Sequence, residues 1–242
     1  MTVSVAPERW NKTVVDEYPS TIEYPESDGK PVGETDWHIS VILYLRAALR
    51  FYFRHVTDLY VAADMLFYYE EGNPQLSKAP DVFVVKGINK EDRATYKLWE
   101  ERAVPCVIFE ITSRSTRWQD VGEKKGLYEY LGVREYFLFD PLNEYLKPQL
   151  QGFRLINGSY QPIDLSPDGT LYSQELGLLL KPEGRQLRLI DAQTGEGIPT
   201  MEESAERAEL EAQRAQAAES KAEQLEHEIA ELRRQLAERT RP

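Results

Sequence analysis

Hydrophobic positions return along this chain with two different periods, and the change from one to the other marks out its elements. From Thr35 onward Trp37, Val41, Leu45, Ala48, Leu49 and Tyr52 recur at the spacing of one helix face, with Thr35 placed to cap the start and Arg54 and His55 in the last turn. The segments TDLYVAADMLFYY and APDVFVV, rich in β-branched and aromatic residues, predict a pair of strands on either side of the turn-forming stretch EEGNPQLSK. The next run, AVPCVIFEI, is apolar almost throughout and predicts a strand covered on both faces. Glu110 is its anomaly.

Thr116 and Gln119 have the spacing of a capping box for a second helix running to about Leu131, with Val121, Leu127, Tyr128 and Leu131 facing inward and Gly132 as a left-handed stop. REYFLFDP predicts a further strand. Between residues 144 and 190 the short runs LQGFRLI and SYQPI flank an Asn157-Gly158 turn, and GLLL and LRLI follow, most simply as a hairpin extension of the same sheet. Helix, strands, helix, strand is an α/β order.

The two ends differ from this body. Residues 1–33 hold Pro7, Pro19, Pro25, Gly29, Pro31 and Gly33 without sustained periodicity, and predict an extended N-terminal arm leading into a globular domain over residues 34–200. Residues 201–242 shift to Ala, Glu, Gln and Arg. There Ala208, Ala215, Ala218, Ala222, Leu225, Ile229, Leu232 and Leu236 keep the spacing of a heptad seam broken only at Glu211, the pattern of a coiled-coil helix. Only alanine lines its first half, so the larger side chains from Leu225 to Leu236 would carry most of an association with a second copy or a partner protein.

The charge balance narrows the function. With 29 basic and 41 acidic residues the chain is at −12, and its bulk field would slow rather than steer an approach to nucleic acid. Any nucleic-acid contact must be local. Arg114, Arg117, Lys124 and Lys125 form the one dense basic cluster of the globular part, and are candidates for that contact. Cys106 is the single cysteine, so no disulfide forms within the chain. The longest apolar stretch, VILYLRAALRFYF, is interrupted by Arg46 and Arg50, and the N-terminus lacks the basic-then-apolar pattern of a secretion signal. These features predict a cytoplasmic protein.

Glu110 carries the candidate chemistry. A carboxylate in a buried strand costs several kcal/mol unless it is paired, hydrogen-bonded or neutralised. Asp81 opens the neighbouring strand, and adjacent strands lie about 4.8 Å apart, so the two carboxylates could converge and need a cation between them. An oxygen-only pair of this kind suits Mg²⁺ or Mn²⁺ with substrate phosphates, and points to phosphoester hydrolysis. Lys124 could reach the same centre from the second helix, although one turn from Asp120 it could equally form a surface ion pair. Asp64 interrupts an apolar run and could add an accessory carboxylate to the site, or strand alternation could equally turn it to solvent. Trp99 and Trp118 read as packing residues.

Taken together, PDVFVV, VPCVIFEITSRST, the Asp120, Lys124, Tyr128 spacing D-x-x-x-K-x-x-x-Y and GVREYFLFDP resemble the Uma-two type restriction endonucleases, a branch of the PD-(D/E)XK nuclease superfamily common in cyanobacteria. The resemblance spans about Glu34 to Asp191. It implies a restriction-endonuclease-like core, a central mixed sheet flanked by helices, with Asp81 and Glu110 as metal ligands and catalytic residues and the backbone carbonyl of Ile111 as a possible further ligand. The lysine expected two residues after the glutamate is replaced by Thr112, and the resemblance assigns that role to Lys124 on the following helix. It also matches Glu34 to an accessory helix carboxylate and His38 to a histidine one turn later. The implied activity is a Mg²⁺-dependent endonuclease acting on nucleic acid, with DNA the expected substrate. The alternative is a catalytically degenerate nuclease fold serving as a coiled-coil interaction or scaffold module.

Overall fold

A computed structural model describes residues 22–27, 29 and 35–239. Most of the predicted N-terminal arm, and Glu34 with it, lies outside the described residues. In chain order the elements are α1 (Asp36–Tyr52), β1 (Leu59–Ala63), β2 (Phe67–Tyr68), β3 (Ser77–Lys78), β4 (Val82–Lys86), β5 (Tyr96–Lys97), α2 (Leu98–Glu101), β6 (Val107–Ile111), α3 (Lys125–Leu131), β7 (Glu135–Phe139), β8 (Leu150–Ile156), β9 (Ser159–Pro162), β10 (Leu171–Ser173), β11 (Leu178–Glu183), β12 (Gln186–Asp191) and α4 (Met201–Arg239). A π-helical turn over Gln119–Lys124 leads directly into α3.

Six strands form the central sheet in the order β1-β4-β6-β7-β8-β9. β6 and β7 pair in parallel, and the other neighbours pair antiparallel, which makes the sheet mixed. β6 has no exposed side chain, as its continuous apolar run requires. Its pleat sends Val107, Phe109 and Ile111 to one face, where Val41, Leu45 and Leu49 of α1 complete the core. Ile108 goes to the other face, among Tyr128 and Leu131 of α3 and Tyr136 of β7. Glu110 has the parity of Ile108 and so points toward the α3 side.

The structure alters three local expectations. Thr35 occupies the N-cap position of α1, but its side chain makes no capping hydrogen bond. At the second helix the reciprocal bonds lie three residues earlier than the Thr116–Gln119 spacing suggested: the Ser113 amide donates to Thr116 Oγ1 and the Thr116 amide to Ser113 Oγ. A chain rich in hydroxyls around residues 113–116 offers more than one cap, and packing chooses between them. Third, only β8 and β9 extend the central sheet; β10, β11 and β12 form a separate three-stranded sheet whose Leu178, Leu180, Leu187 and Leu189 join the core beside α1. The turn-forming stretch before β4 also contains β3, which pairs with β2 beside β5.

Both predicted glycine turns are met directly. Gly132 has φ 89° at the end of α3, and Asn157 and Gly158 have φ 52° and 84° between β8 and β9, the two positive angles of a tight hairpin turn. Tyr24 packs edge-on to Tyr68 at 5.1 Å, and the Tyr68 hydroxyl donates to the Pro25 carbonyl. The chain divides into two compact units, residues 1–198 and 199–242. The second contains α4, a continuous 39-residue helix. Among the described residues no helix is long and apolar enough to cross a membrane.

Candidate functional site

The register of β4 against β6 matches Val82 to Phe109, so the next pair outward is Asp81 and Glu110. The sheet thus brings the two predicted carboxylates side by side. The Ile111 amide donates to Asp81 Oδ2 at 2.5 Å, which fixes that carboxylate just before the start of β4. From α1, the His38 Nε2 stands 3.6 Å from Asp81 Oδ1, with the imidazole almost wholly covered.

Glu110 is 1% exposed, and both of its oxygens have partners. Lys124 Nζ lies 2.7 Å from Oε2, and the Tyr128 hydroxyl donates to Oε1 at 2.9 Å. The same ammonium is 3.0 Å from Asp120 Oδ1, so it bridges two buried carboxylates. The π-helical turn and the first turn of α3 place Asp120, Lys124 and Tyr128 inward together, and the Tyr136 hydroxyl of β7 ties the turn to the sheet by donating to the Asp120 carbonyl. π-helical turns recur at functional sites, where they realign side chains that a regular helix would rotate away.

The electrostatics are those of a site short of positive charge. Burial pushes the Glu110 carboxyl up, to about 8, against the pull of Lys124 and with the repulsion of Asp81 and Asp120 adding to it. Burial likewise raises Asp120. Burial alone would lower Lys124, but Glu110, Asp120 and Asp81 more than reverse it, and the ammonium stays charged. Burial, followed by the neighbouring Glu110, also raises Tyr128, which remains a donor. Three carboxylates therefore share one lysine, and a proton on Glu110 or a bound cation would restore the balance. Asp81 and Glu110 offer oxygen donors only, and the charge deficit fits a divalent ion such as Mg²⁺ or Mn²⁺. Among the described residues no three His, Cys, Asp or Glu side chains converge as a ready-made cage. The fit is to a metal held by two carboxylates and completed by other oxygens.

Beside His38 opens a cleft of about 490 Å³ between the start of α1, the turn after β6 and the loop after β7. Thr112, Ser113, Arg114, Ser115 and Tyr145 contribute to its walls. Asp140, fully buried, builds the outer wall by accepting the amides of Leu142, Tyr145 and Leu146. Arg117 stands 5.5 Å from the Tyr145 ring and 5.0 Å from that of Trp118, which is 75% exposed. The other basic candidate is elsewhere: Lys125 Nζ sits 3.6 Å over the Phe153 ring of β8. Asp64 is exposed, at φ 47° just beyond β1, and its amide donates to the Pro80 and Asp81 carbonyls. Ile111 contributes its amide to the site, as described above.

In the sequence, Tyr128 stands out only as an inward-facing position and Asp120 as one half of an ion pair, both within the D-x-x-x-K-x-x-x-Y spacing, and neither is among the candidate site residues. Their i, i+4, i+8 spacing around Lys124 was the available signal. Asp140 and Tyr145 carried none, because a loop's own hydrogen bonds decide where it presents its side chains.

Among known proteins, the Uma2 family model, described as "Putative restriction endonuclease", matches residues 13–189. A solved structure described as a putative nuclease belonging to DUF820, from Anabaena variabilis, is similar at 14% identity and a TM-score of 0.44, covering 62% of this chain and 81% of that one. No curated protein matches the chain.

Proposed function

We propose that this chain, which belongs to the Uma2 family described as "Putative restriction endonuclease", hydrolyses nucleic-acid phosphodiester bonds with a divalent metal held by Asp81 and Glu110. The observation that carries the reading is the buried Glu110, beside Asp81 in the sheet register and clasped by Lys124 and Tyr128. A carboxylate costs too much to bury in a strand for packing alone to explain it. When bound, Mg²⁺ or Mn²⁺ would supply Lewis-acid polarisation of a phosphate oxygen and a more acidic water.

The chain's own residues do the remaining work. The Ile111 amide holds Asp81 in place, and His38 faces the other oxygen of the same carboxylate. Tyr128 fixes the rotation of Glu110 by holding Oε1. Lys124 keeps Glu110 and Asp120 from repelling one another, and its charge is available to a scissile phosphate or to the water that attacks it. The adjoining cleft supports an approach for the nucleic-acid strand, with Arg114 and the Ser113 and Ser115 hydroxyls as phosphate partners and Arg117 at the Tyr145 side. DNA is the substrate we favour, in keeping with the family description, and such a short basic patch on an acidic protein suits a contact local to the cut.

The test is nicking of supercoiled plasmid with Mg²⁺ or Mn²⁺ by the parent, Glu110→Ala and Asp81→Asn proteins prepared identically. Metal-dependent cleavage by the parent, lost in both variants, is expected. Equal cleavage by all three would mark a contaminant. No cleavage by the parent on DNA or RNA would leave a nuclease fold retained for interaction, a reading to which the lysine-position Thr112 and the saturated Glu110 oxygens would then lend weight.

A further inference from the structure

The helix α4 carries a seam that the rest of its own unit does not cover. Leu225, Ile229, Leu232 and Leu236 are 48%, 48%, 54% and 69% exposed, and they follow one another at intervals of four, three and four residues. Assigning Ile229 and Leu236 to the a positions of a heptad puts Leu225 and Leu232 at d. A β-branched residue at a with leucine at d favours two strands. The same frame puts Arg214, Lys221 and Glu228 at g and Glu219, Glu226 and Arg233 at e. In a parallel, in-register pair each g residue faces the e residue five positions on in the other helix. The resulting pairs are Arg214 with Glu219, Lys221 with Glu226 and Glu228 with Arg233, all attractive, and each occurs twice by symmetry.

The antiparallel arrangement is poorer. Overlapping the apolar halves head to tail would set Leu225 against Leu236, retain only the Glu226–Arg233 match, and leave residues 201–221 of each helix without a partner seam. From this charge complementarity we infer that α4 docks on α4 of a second copy of this chain, in parallel and in register. Glu211 occupies a d position and interrupts the alanine half of the seam, so the region from Lys221 to Leu236 holds the pair together. Because both helices begin at the same end of such a coil, the two globular units leave it together. This assembly does not depend on whether either unit cleaves nucleic acid.

The experiment uses the full chain. Sedimentation or light scattering at ~100 µM should give twice the 28.0 kDa of one chain; a monomer at that concentration overturns the inference. Orientation is read from Leu225→Cys and Leu236→Cys, since the native Cys106 is buried and does not compete. Mild oxidation should join each variant to itself. If neither does so alone but a mixture of the two cross-links, the helices are antiparallel and the inference fails. Charge exchange reports the register independently: Arg233→Glu should weaken the dimer several-fold, and adding Glu228→Arg should restore it. Restoration by Glu226→Arg instead would select the antiparallel pairing.

Discussion

Replacing Lys124 with methionine removes the ammonium shared by Glu110 and Asp120, each 1% exposed, while keeping most of the side-chain volume. Stripping one partner from a buried ion pair costs about 3–5 kcal/mol, because the charge left behind has lost both its partner and its water. Lys124→Met should lose that much in urea or guanidinium unfolding at pH 8.5 with chelator present. The loss should shrink as the pH falls, and the sign follows from the direction of the shifts. Glu110 and Asp120 already bind protons more readily in the folded chain than ordinary carboxyls, and without Lys124 they do so more strongly. A folded state that holds protons the unfolded chain releases gains stability as pH falls through the raised folded value toward the ordinary carboxylate range.

The gap between parent and variant should therefore be widest at high pH and narrow as the pH falls toward about 8, the folded Glu110 value of the parent; below it Glu110 is protonated in both folded proteins and its share of the gap no longer changes. Each unit of differential shift is worth about 1.4 kcal/mol, so recovery of about 2 kcal/mol is expected across that range. Adding Glu110→Gln should also return much of the loss at pH 8.5, giving a coupling of about 1–3 kcal/mol in the double-mutant cycle. A variant within about 0.5 kcal/mol of the parent at pH 8.5 would refute the reasoning, as would a large loss that does not change with pH.

Three further substitutions test the scaffold. A Cβ at Gly152 would lie 2.8 Å from Leu171 Cδ1 and 2.9 Å from Phe137 Cε1, between two buried side chains, so Gly152→Ala should cost about 1–3 kcal/mol by chemical denaturation. Gly126→Ala, on an exposed α3 position with open space around it, should stabilise by about 0.5–1 kcal/mol and raise the melting temperature. Asp140→Ala leaves three amides of the cleft loop without their acceptor and should cost about 2–3 kcal/mol, with faster amide exchange over Leu142–Leu146. The Cys106 thiol, which burial pushes up to about 11, should react with a thiol reagent at pH 8 only after denaturation.

The sequence by itself determined what local chemistry can determine. Apolar runs and their periods placed α1, β4, β6 and β7, because burial must repeat at the period of the element that is buried, and the heptad seam placed the long α4. Asn157-Gly158 and Gly132 marked their turns, since few other residues accept positive φ. Glu110 was legible as a site for the same reason: a lone carboxylate in a run such as VPCVIFEI is a local violation visible without any partner.

Partners were decided only by the tertiary structure. Periodicity says which side chains leave water and is silent on which of them meet. The reach of Lys124 to Glu110 across 14 residues depends on the π-helical turn and on Tyr136 anchoring its carbonyl. The choice of Ser113 over Thr116 as cap turned on how that turn packs, and the departure of β10–β12 from the central sheet on where α1 leaves apolar surface to cover. The cleft beside His38 exists because Asp140 gathers three amides of one loop, an arrangement that no spacing along the chain announces.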